Sequence, residues 1–99
     1  MTKKIYRTLK NSLEKFVKEK ISIKLPNDLL IKGSKICGIL QEVVNYKNSK
    51  YFIIGIGVNV VKCPEIANKQ VSFLQKYNNN KIKKTDIYMS IKKNFEKII

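Results

Sequence analysis

The sequence predicts an α+β fold, in which a small antiparallel sheet carries helices packed on one of its faces. Two observations support this prediction. Apolar residues recur at helical spacing near both ends of the chain, and the middle contains short apolar runs separated by turn residues. With 99 residues, the chain is long enough for one domain or less, with a thin core.

Helical periodicity marks the two ends of the chain. The N-terminal stripe predicts one amphipathic helix over residues 4–19, and its apolar positions are Ile5, Leu9, Leu13, Phe16 and Val17. Near the C-terminus, Thr85 is the predicted N-cap of a last helix, and Asp86 stands in its first turn, where the helix dipole favours a carboxylate. The apolar face of this helix consists of Ile87, Ile91, Phe95 and Ile98. A shorter helix is predicted around Val71, Leu74 and Tyr77.

Strands are predicted between the first helix and the short one. They comprise residues 21–25, 29–31, 35–44 and 50–61. The turns and loops between them are residues 26–28, 32–34 and 45–49, which are rich in Pro, Gly, Asn, Asp and Ser. Because Lys35 begins a strand directly after a tight turn, we expect its ammonium group to reach over the sheet.

Composition narrows the class of protein. Hydrophobic residues make up 43% of the chain and charged residues 28%, which is typical of a globular domain. The nearly apolar run over residues 51–58 is too short to span a bilayer, and the N-terminus lacks the apolar stretch of a signal peptide. We therefore expect a cytoplasmic protein without a membrane partner.

Cysteine and histidine usage limits the chemistry. The chain has no histidine, and Cys37 and Cys63 do not form a Cys-x-x-Cys pair. A zinc site and a histidine-based catalytic triad are thus excluded. Both cysteines are expected to be free thiols in a reducing compartment.

The formal net charge of +14 raises the question of nucleic-acid binding. Of the 21 basic residues only Arg7 is an arginine, and the lysines are spread along the whole chain. Nucleic-acid readers rely on arginine for its two-pronged hydrogen bonding. A solvated lysine surface is therefore favoured over a nucleic-acid face, although a non-catalytic basic binding module remains an alternative.

Two glycines interrupt the most hydrophobic strand. Strand alternation places Gly55, Gly57 and Asn59 on one face and the neighbouring isoleucines and valines on the other. Glycine weakens a strand interior, and close approach of a ligand or tight packing against another element would each explain its presence. A dinucleotide fingerprint is excluded, because the third glycine would fall at Val60 and no helix opens there.

Three motifs in this order resemble the catalytic motifs of biotin-protein ligases. Residues 24–28 read Lys-Leu-Pro-Asn-Asp, residues 35–40 read Lys-Ile-Cys-Gly-Ile-Leu, and residues 55–59 read Gly-Ile-Gly-Val-Asn. The resemblance implies part of a class II synthetase-like catalytic domain of the biotin/lipoate ligase type. It also implies a two-step reaction, in which biotin and ATP form biotinyl-5′-adenylate and a lysine of a biotin carboxyl carrier protein then receives the biotinyl group.

The resemblance further implies roles for individual residues. Lys35 would be the catalytic cation. The residues expected to bind biotin or the adenylate are Lys24, Asn27, Asp28, Gly38, Gly55, Gly57 and Asn59. Asp28 is also a candidate anchor for Mg²⁺-bound phosphate. Biotin, ATP and Mg²⁺ are therefore the expected substrates and cofactor.

The chain departs from the family pattern in three respects. Leu25 replaces the usual tryptophan, no Arg-Gly-Arg loop precedes the motifs, and no SH3-like domain follows them. Residues 1–99 are thus expected to be a partial catalytic domain, either a remnant or one half of a split enzyme whose N-terminal half is a separate chain. An uncovered sheet face and edge would then promote self-association. A lipoate-protein ligase is the related alternative, but the Pro-Asn-Asp and Gly-Ile-Leu-Gln-Glu segments fit biotin ligases better.

Overall fold

The computed structural model describes residues 2–98 and confirms the α+β fold. Its elements are helix α1 (Thr2–Glu14), strands β1 (Ile21–Lys24), β2 (Asp28–Ile31), β3 (Ser34–Tyr46) and β4 (Ser49–Val58), a 3-10 helix (Leu74–Tyr77) and helix α2 (Lys84–Glu96). The strands form one antiparallel sheet in the order β1-β2-β3-β4. No helix in the described part of the chain is both long enough and apolar enough to cross a membrane.

The core lies between the two helices and one face of the sheet. Buried side chains of α1, such as Leu9 and Leu13, pack with buried residues of β1 to β3 and with Ile87 of α2. Full burial of one such leucine contributes about 1.5–3 kcal/mol, so this layer provides most of the driving force for folding. The opposite face of the sheet carries no helix of the described chain.

A polar contact joins the two helices inside this apolar layer. Ser90 Oγ of α2 donates a hydrogen bond to the Ser12 carbonyl of α1 at 2.8 Å. Asn94 Nδ2 donates to Ser12 Oγ, also at 2.8 Å. Because both serines are buried, these bonds satisfy polar groups that would otherwise destabilise the interface.

Tight two-residue turns lengthen the strands beyond their predicted ends. Lys47 and Asn48 both have positive φ, the conformation of the hairpin turn whose twist matches that of the flanking strands. The β3–β4 ladder therefore continues to the pair Tyr46 and Ser49, and the predicted loop over residues 45–49 shrinks to two residues. A similar turn at Lys32 and Gly33 joins β2 to β3.

The helix boundaries required two corrections. Helix α1 ends at Glu14 instead of residue 19, because the Phe16 N–H bonds to the Leu13 carbonyl three residues back and starts a turn. Phe16 nevertheless still packs against the core, which explains its place in the periodic pattern. Thr85 is not the N-cap of α2. Lys83 takes that position, because its carbonyl accepts the first helical hydrogen bond from the Ile87 N–H.

Two further boundaries, those of β4 and of the short helix, also differ from the prediction. Strand β4 ends at Val58, three residues before its predicted end. The short helix covers only residues 74–77, while Val71 forms an isolated parallel bridge with Lys35 of β3. Residues 70–72 therefore lie alongside the start of β3 rather than in a helix, and this placement bears directly on the site described next.

Candidate functional site

A β-bulge brings Lys35 to the open face of the sheet. Between β2 and β3, Leu29 is paired with Cys37 but Leu30 with Lys35, so β3 has one extra residue. Strict alternation would place Lys35 on the face opposite Gly38. The extra residue shifts the alternation, and the side chain of Lys35 lies over Gly38 instead. Ile36, the extra residue, and its neighbour Cys37 are both buried in the core.

An ion pair holds the ammonium of Lys35 in place. Lys35 Nζ lies 3.1 Å from Asp28 Oδ1, and the two side chains are 44% and 29% exposed. A pair with this much solvent contact contributes little stability, about 0–1 kcal/mol, so its main effect is to orient the cation. Asp28 is the ladder partner of Gly38, which places all three residues at one point of the sheet.

Gly38 provides the space that the lysine side chain occupies. A Cβ atom at this position would lie 3.3 Å from both Cε and Nζ of Lys35. Such contacts are tighter than ordinary packing, so alanine here would push the ammonium away from its present position. The structure thus gives Gly38 a specific reason to be glycine.

Gly38, Gly57 and Gly55 form a bare glycine strip, a stretch of backbone without side chains, along the open face of the sheet. Gly57 is the cross-strand partner of Gly38, and Gly55 is the partner of Leu40. No atom of the described chain comes within 4 Å of a Cβ built on Gly57, and the nearest atoms to one on Gly55 lie at 3.8 Å. Tight internal packing therefore does not explain these two glycines, and an open, low-relief surface remains.

A cleft of about 410 Å³ lies beside Lys35 and Asp28. The sheet side of the cleft also includes Lys24, Leu30 and Gly33, and the other wall consists of Ile66, Asn68, Lys69, Gln70 and Val71. The sequence motifs did not indicate this second wall. Its irregular, polar character was the available signal, because connecting segments of this kind often line binding sites. A larger groove, of about 600 Å³, lies between α2 and residues 15 and 16, just beyond the end of α1, and contains none of the motif residues.

The remaining motif residues have more local roles in the structure. The Asn27 carbonyl accepts a hydrogen bond from the Ile39 N–H at 2.8 Å, while the residue itself is exposed. Asn59 lies one residue beyond β4, and its Nδ2 donates to the Ser72 carbonyl at 3.1 Å. The structure thus brings together Lys24, Asp28, Lys35 and Gly38, and it engages the amide of Asn59 within the protein.

Cys37 lies directly behind this site and is not a nucleophile at neutral pH. Its side chain is buried, and burial raises the pKa of the thiol to about 12, with Lys35 lowering it and Asp28 raising it to a smaller extent. Residues 2–98 contain no group of three or more His, Cys, Asp or Glu side chains suited to a metal ion. Asp28 supplies one carboxylate, which fits an ion held mainly by phosphate oxygens and water.

Solved structures with the same fold define the class of this chain. It is similar to the apo biotin protein ligase from Aquifex aeolicus, with a TM-score of 0.79 and 22% identity over 97% of this chain and 42% of that one. The biotin protein ligase from Leishmania major in complex with biotinyl-5-AMP gives a TM-score of 0.77 and 18% identity over 96% and 44%. P. falciparum LipL1 in complex with lipoate gives 0.71 and 16% over 98% and 31%. The fold is therefore that of biotin and lipoate ligase catalytic domains.

Sequence comparison assigns the family. The model of the biotin/lipoate A/B protein ligase family matches residues 1–59. Over 43 residues the chain is 42% identical to the biotin–[acetyl-CoA-carboxylase] ligase of Mycobacterium tuberculosis (strain ATCC 25618 / H37Rv), a stretch that covers 43% of this chain and 15% of that protein. The chain belongs to the biotin/lipoate A/B protein ligase family. It spans less than half the length of the relatives it matches.

Proposed function

We propose that residues 1–99 form one wall of an active site that activates biotin with ATP and transfers it to a carrier protein. The main support is the ammonium of Lys35, held over Gly38 by Asp28 at the edge of a cleft and of a bare glycine strip. In the first step, a carboxylate oxygen of biotin bonds to the α-phosphorus of ATP and pyrophosphate leaves. In the second, a carrier lysine attacks the acyl carbon, AMP leaves, and the amine loses a proton as the amide forms.

Lys35 has the charge and position that the first step needs. The biotin carboxylate and the α-phosphate are both anions, and their repulsion must be overcome before the new bond forms. A fixed cation between them reduces that repulsion and stabilises the charge that develops during transfer. Because Lys35 is already oriented by Asp28, little reorganisation is needed when the substrates bind.

The glycines and the cleft suggest how the substrates lie. Gly38, Gly55 and Gly57 leave the strand backbone accessible, so a flat ring can approach the sheet closely. Lys24 lines the same cleft as Lys35 and places a second positive charge near the phosphates. Asn27 and Asn59 are proposed to contact the adenosine side. When bound, Mg²⁺ would neutralise part of the phosphate charge, with Asp28 as the carboxylate available to hold it.

Biotin is favoured over lipoate because of the sequence relationship. The M. tuberculosis relative that shares 42% identity over 43 residues is named as a biotin–[acetyl-CoA-carboxylase] ligase. The likeness in fold alone does not discriminate, since it extends to a lipoate-bound protein. The proposed acceptor is accordingly a lysine of a biotin carboxyl carrier protein, and the proposed location is the cytoplasm.

The test is ATP–pyrophosphate exchange that depends on biotin. The described residues 2–98 leave the substrate face open, so we expect little exchange until the N-terminal half of a family member is supplied as a separate chain. In that mixture, Lys35→Ala should lower exchange by about 10²-fold or more, as expected for loss of a transition-state charge partner. Lys92→Ala is the matched control, because Lys92 is also ion-paired but lies on α2.

Three results would contradict the proposal. Equal exchange with lipoate in place of biotin would overturn the choice of substrate. An unchanged rate in Lys35→Ala would remove Lys35 from the mechanism. Robust biotin-dependent exchange by residues 1–99 alone would show that this face needs no further cover.

A further inference from the structure

Residues 70–72 hold the main chain of Lys35 from the side opposite β2. The Lys35 N–H donates to the Gln70 carbonyl at 3.0 Å, and the Ser72 N–H donates to the Lys35 carbonyl at 2.8 Å. On the other side, Lys35 is paired with Leu30 of β2. Further along β3, the position that residues 70–72 occupy is taken by β4. The start of β3 is thus flanked by two different segments of the chain, and the candidate catalytic lysine lies between them.

Asn59 stands where β4 gives way to residues 70–72. Its N–H donates to the Ile36 carbonyl and its carbonyl accepts from the Leu74 N–H, both at 2.9 Å. Its side-chain Nδ2 donates to the Ser72 carbonyl at 3.1 Å. The first two bonds could be made by any residue except proline. Only the third depends on the asparagine side chain, and it fastens Ser72, the residue that bonds to Lys35.

We infer that Asn59 is a positioning residue for Lys35. Its amide fixes Ser72, residues 70–72 fix the main chain of Lys35, and the ammonium is thereby kept over Gly38 beside Asp28. The importance of this position for catalysis rests on the proposed function, whereas the position itself does not. This role differs from the direct adenylate contact that the family resemblance implies for Asn59.

The surroundings explain why such a link is needed. The stretch from residue 61 to residue 70 is almost entirely exposed, so few apolar contacts hold it against the sheet. Local opening of this stretch would release one flank of Lys35 while the core stayed folded. A shift of about 1 Å in a catalytic group can lower a rate by about 10²-fold, so even brief opening would matter.

The first experiment measures, without any ligand, how firmly Lys35 is held. Asn59→Ala should speed hydrogen exchange at the Lys35 and Ser72 amides roughly fivefold, the equilibrium equivalent of one ordinary hydrogen bond. Acylation of Lys35 by an amine-directed reagent, followed by peptide mass spectrometry, should rise in parallel. Asn59→Asp keeps the shape but cannot donate to the Ser72 carbonyl, so it should change both rates in the same direction.

Asn78→Ala is the matched control. Asn78 Nδ2 also donates to a distant main-chain carbonyl, that of Phe16 at 2.9 Å. Asn78→Ala also removes the bond that Asn78 Oδ1 accepts from the Asn80 N–H, so it should reduce stability at least as much as Asn59→Ala. It should nevertheless leave the exchange at Lys35 and Ser72 and the acylation of Lys35 unchanged. If Asn59→Ala leaves these rates at Lys35 and Ser72 unchanged, or if both variants raise them alike, Asn59 does not position Lys35.

A double-mutant cycle separates positioning from direct ligand contact. With the N-terminal half supplied and ATP plus biotin as the probe, Asn59→Ala should weaken binding and slow exchange in the wild-type background. In the Lys35→Ala background its effect should be clearly smaller, because the part that acts through Lys35 is already lost. Fully additive losses would overturn the inference, because Asn59 would then act only through its proposed contact with the adenosine side. If no variant binds ATP, the proposed function fails, and the amide-exchange and acylation results alone decide whether Asn59 positions Lys35.

Discussion

The two ends of the sheet differ sharply in how they are supported. At one end, Ile21, Leu29 and Ile36 are 0% exposed beneath the helices. At the other, the outer half of the β3–β4 hairpin projects beyond them, and Val43 and Ile53 are 61% and 44% exposed. The candidate site lies over the supported end. The strands at the supported end hold the side chains of the candidate site in place. The hairpin, in contrast, exposes apolar side chains and a strand edge whose main-chain groups can form hydrogen bonds.

The contrast arises from where the helices pack. Helix α1 lies against β1 and α2, so its apolar side chains cover only the near part of the sheet. In the described part of the chain, β4 pairs with β3 alone and leaves its other edge unpaired. An uncovered apolar surface next to such an edge favours contact with another chain.

The largest expected effect is on stability. Leu29→Ala removes a fully buried side chain at the supported end and should lower the free energy of unfolding by about 2–5 kcal/mol. Val43→Ala removes an exposed one from the hairpin and should change it by less than about 0.5 kcal/mol. Urea denaturation of both variants measures the difference. Similar losses would mean that the hairpin is covered in solution.

The second-largest expected effect is on self-association, which we expect the hairpin to mediate. We expect a dimer or larger species at micromolar concentration, favoured by salt because salt screens the repulsion between highly positive chains. Ile53→Lys should shift sedimentation toward the monomer. Tyr88→Lys serves as control, because Tyr88 is another large exposed hydrophobic residue but lies on α2 instead of the hairpin. A strictly monomeric wild-type chain at low and high salt would show that the open edge is not used.

Two glycine substitutions test ligand binding at the supported end of the sheet without removing a core side chain. Gly38→Ala should displace the Lys35 ammonium and weaken binding of ATP with biotin about tenfold, equivalent to about 1.4 kcal/mol. Gly57→Ala meets no atom of the described chain and should stabilise the chain by about 0.5–1 kcal/mol. It should still weaken ligand binding, if the ligand lies against bare backbone. Unimpaired binding by both variants would argue against the glycine strip as a binding surface.

The smallest effect at neutral pH concerns the buried thiol. Burial raises the pKa of Cys37 from 9.0 to about 12, so between these values the unfolded chain loses a proton that the folded chain keeps. Stability should therefore be unaffected below pH 9 and fall as pH rises from 9 toward 12. Cys37→Ser removes this part of the decline, and Cys63→Ser does not. Denaturation midpoints across that range provide the measurement, and matching declines in both variants would contradict it.

The sequence was most informative where neighbouring residues decide the outcome. Helical spacing identified the core faces of both long helices, and alternation placed Gly55 and Gly57 on the open face. Three ordered motifs indicated the family that the comparisons confirm. Boundaries were less predictable, as Thr85 shows. A threonine favours an N-cap, but the buried Ile82, whose N–H bonds to Gln75 Oε1, fixes the chain so that the helix starts earlier.

By itself, the sequence determined the α+β class and the core faces of its long helices, because these follow from periodicity, and the resemblance of its three ordered motifs to a known family indicated the candidate site residues. Only the tertiary structure decided that Lys35 lies over Gly38, that residues 70–72 flank it, and that Asn59 bonds to Ser72. The physical reason is the same in each case. A bulge and a parallel bridge depend on hydrogen bonds between segments distant in sequence, and local patterns do not encode which distant carbonyl an N–H will meet.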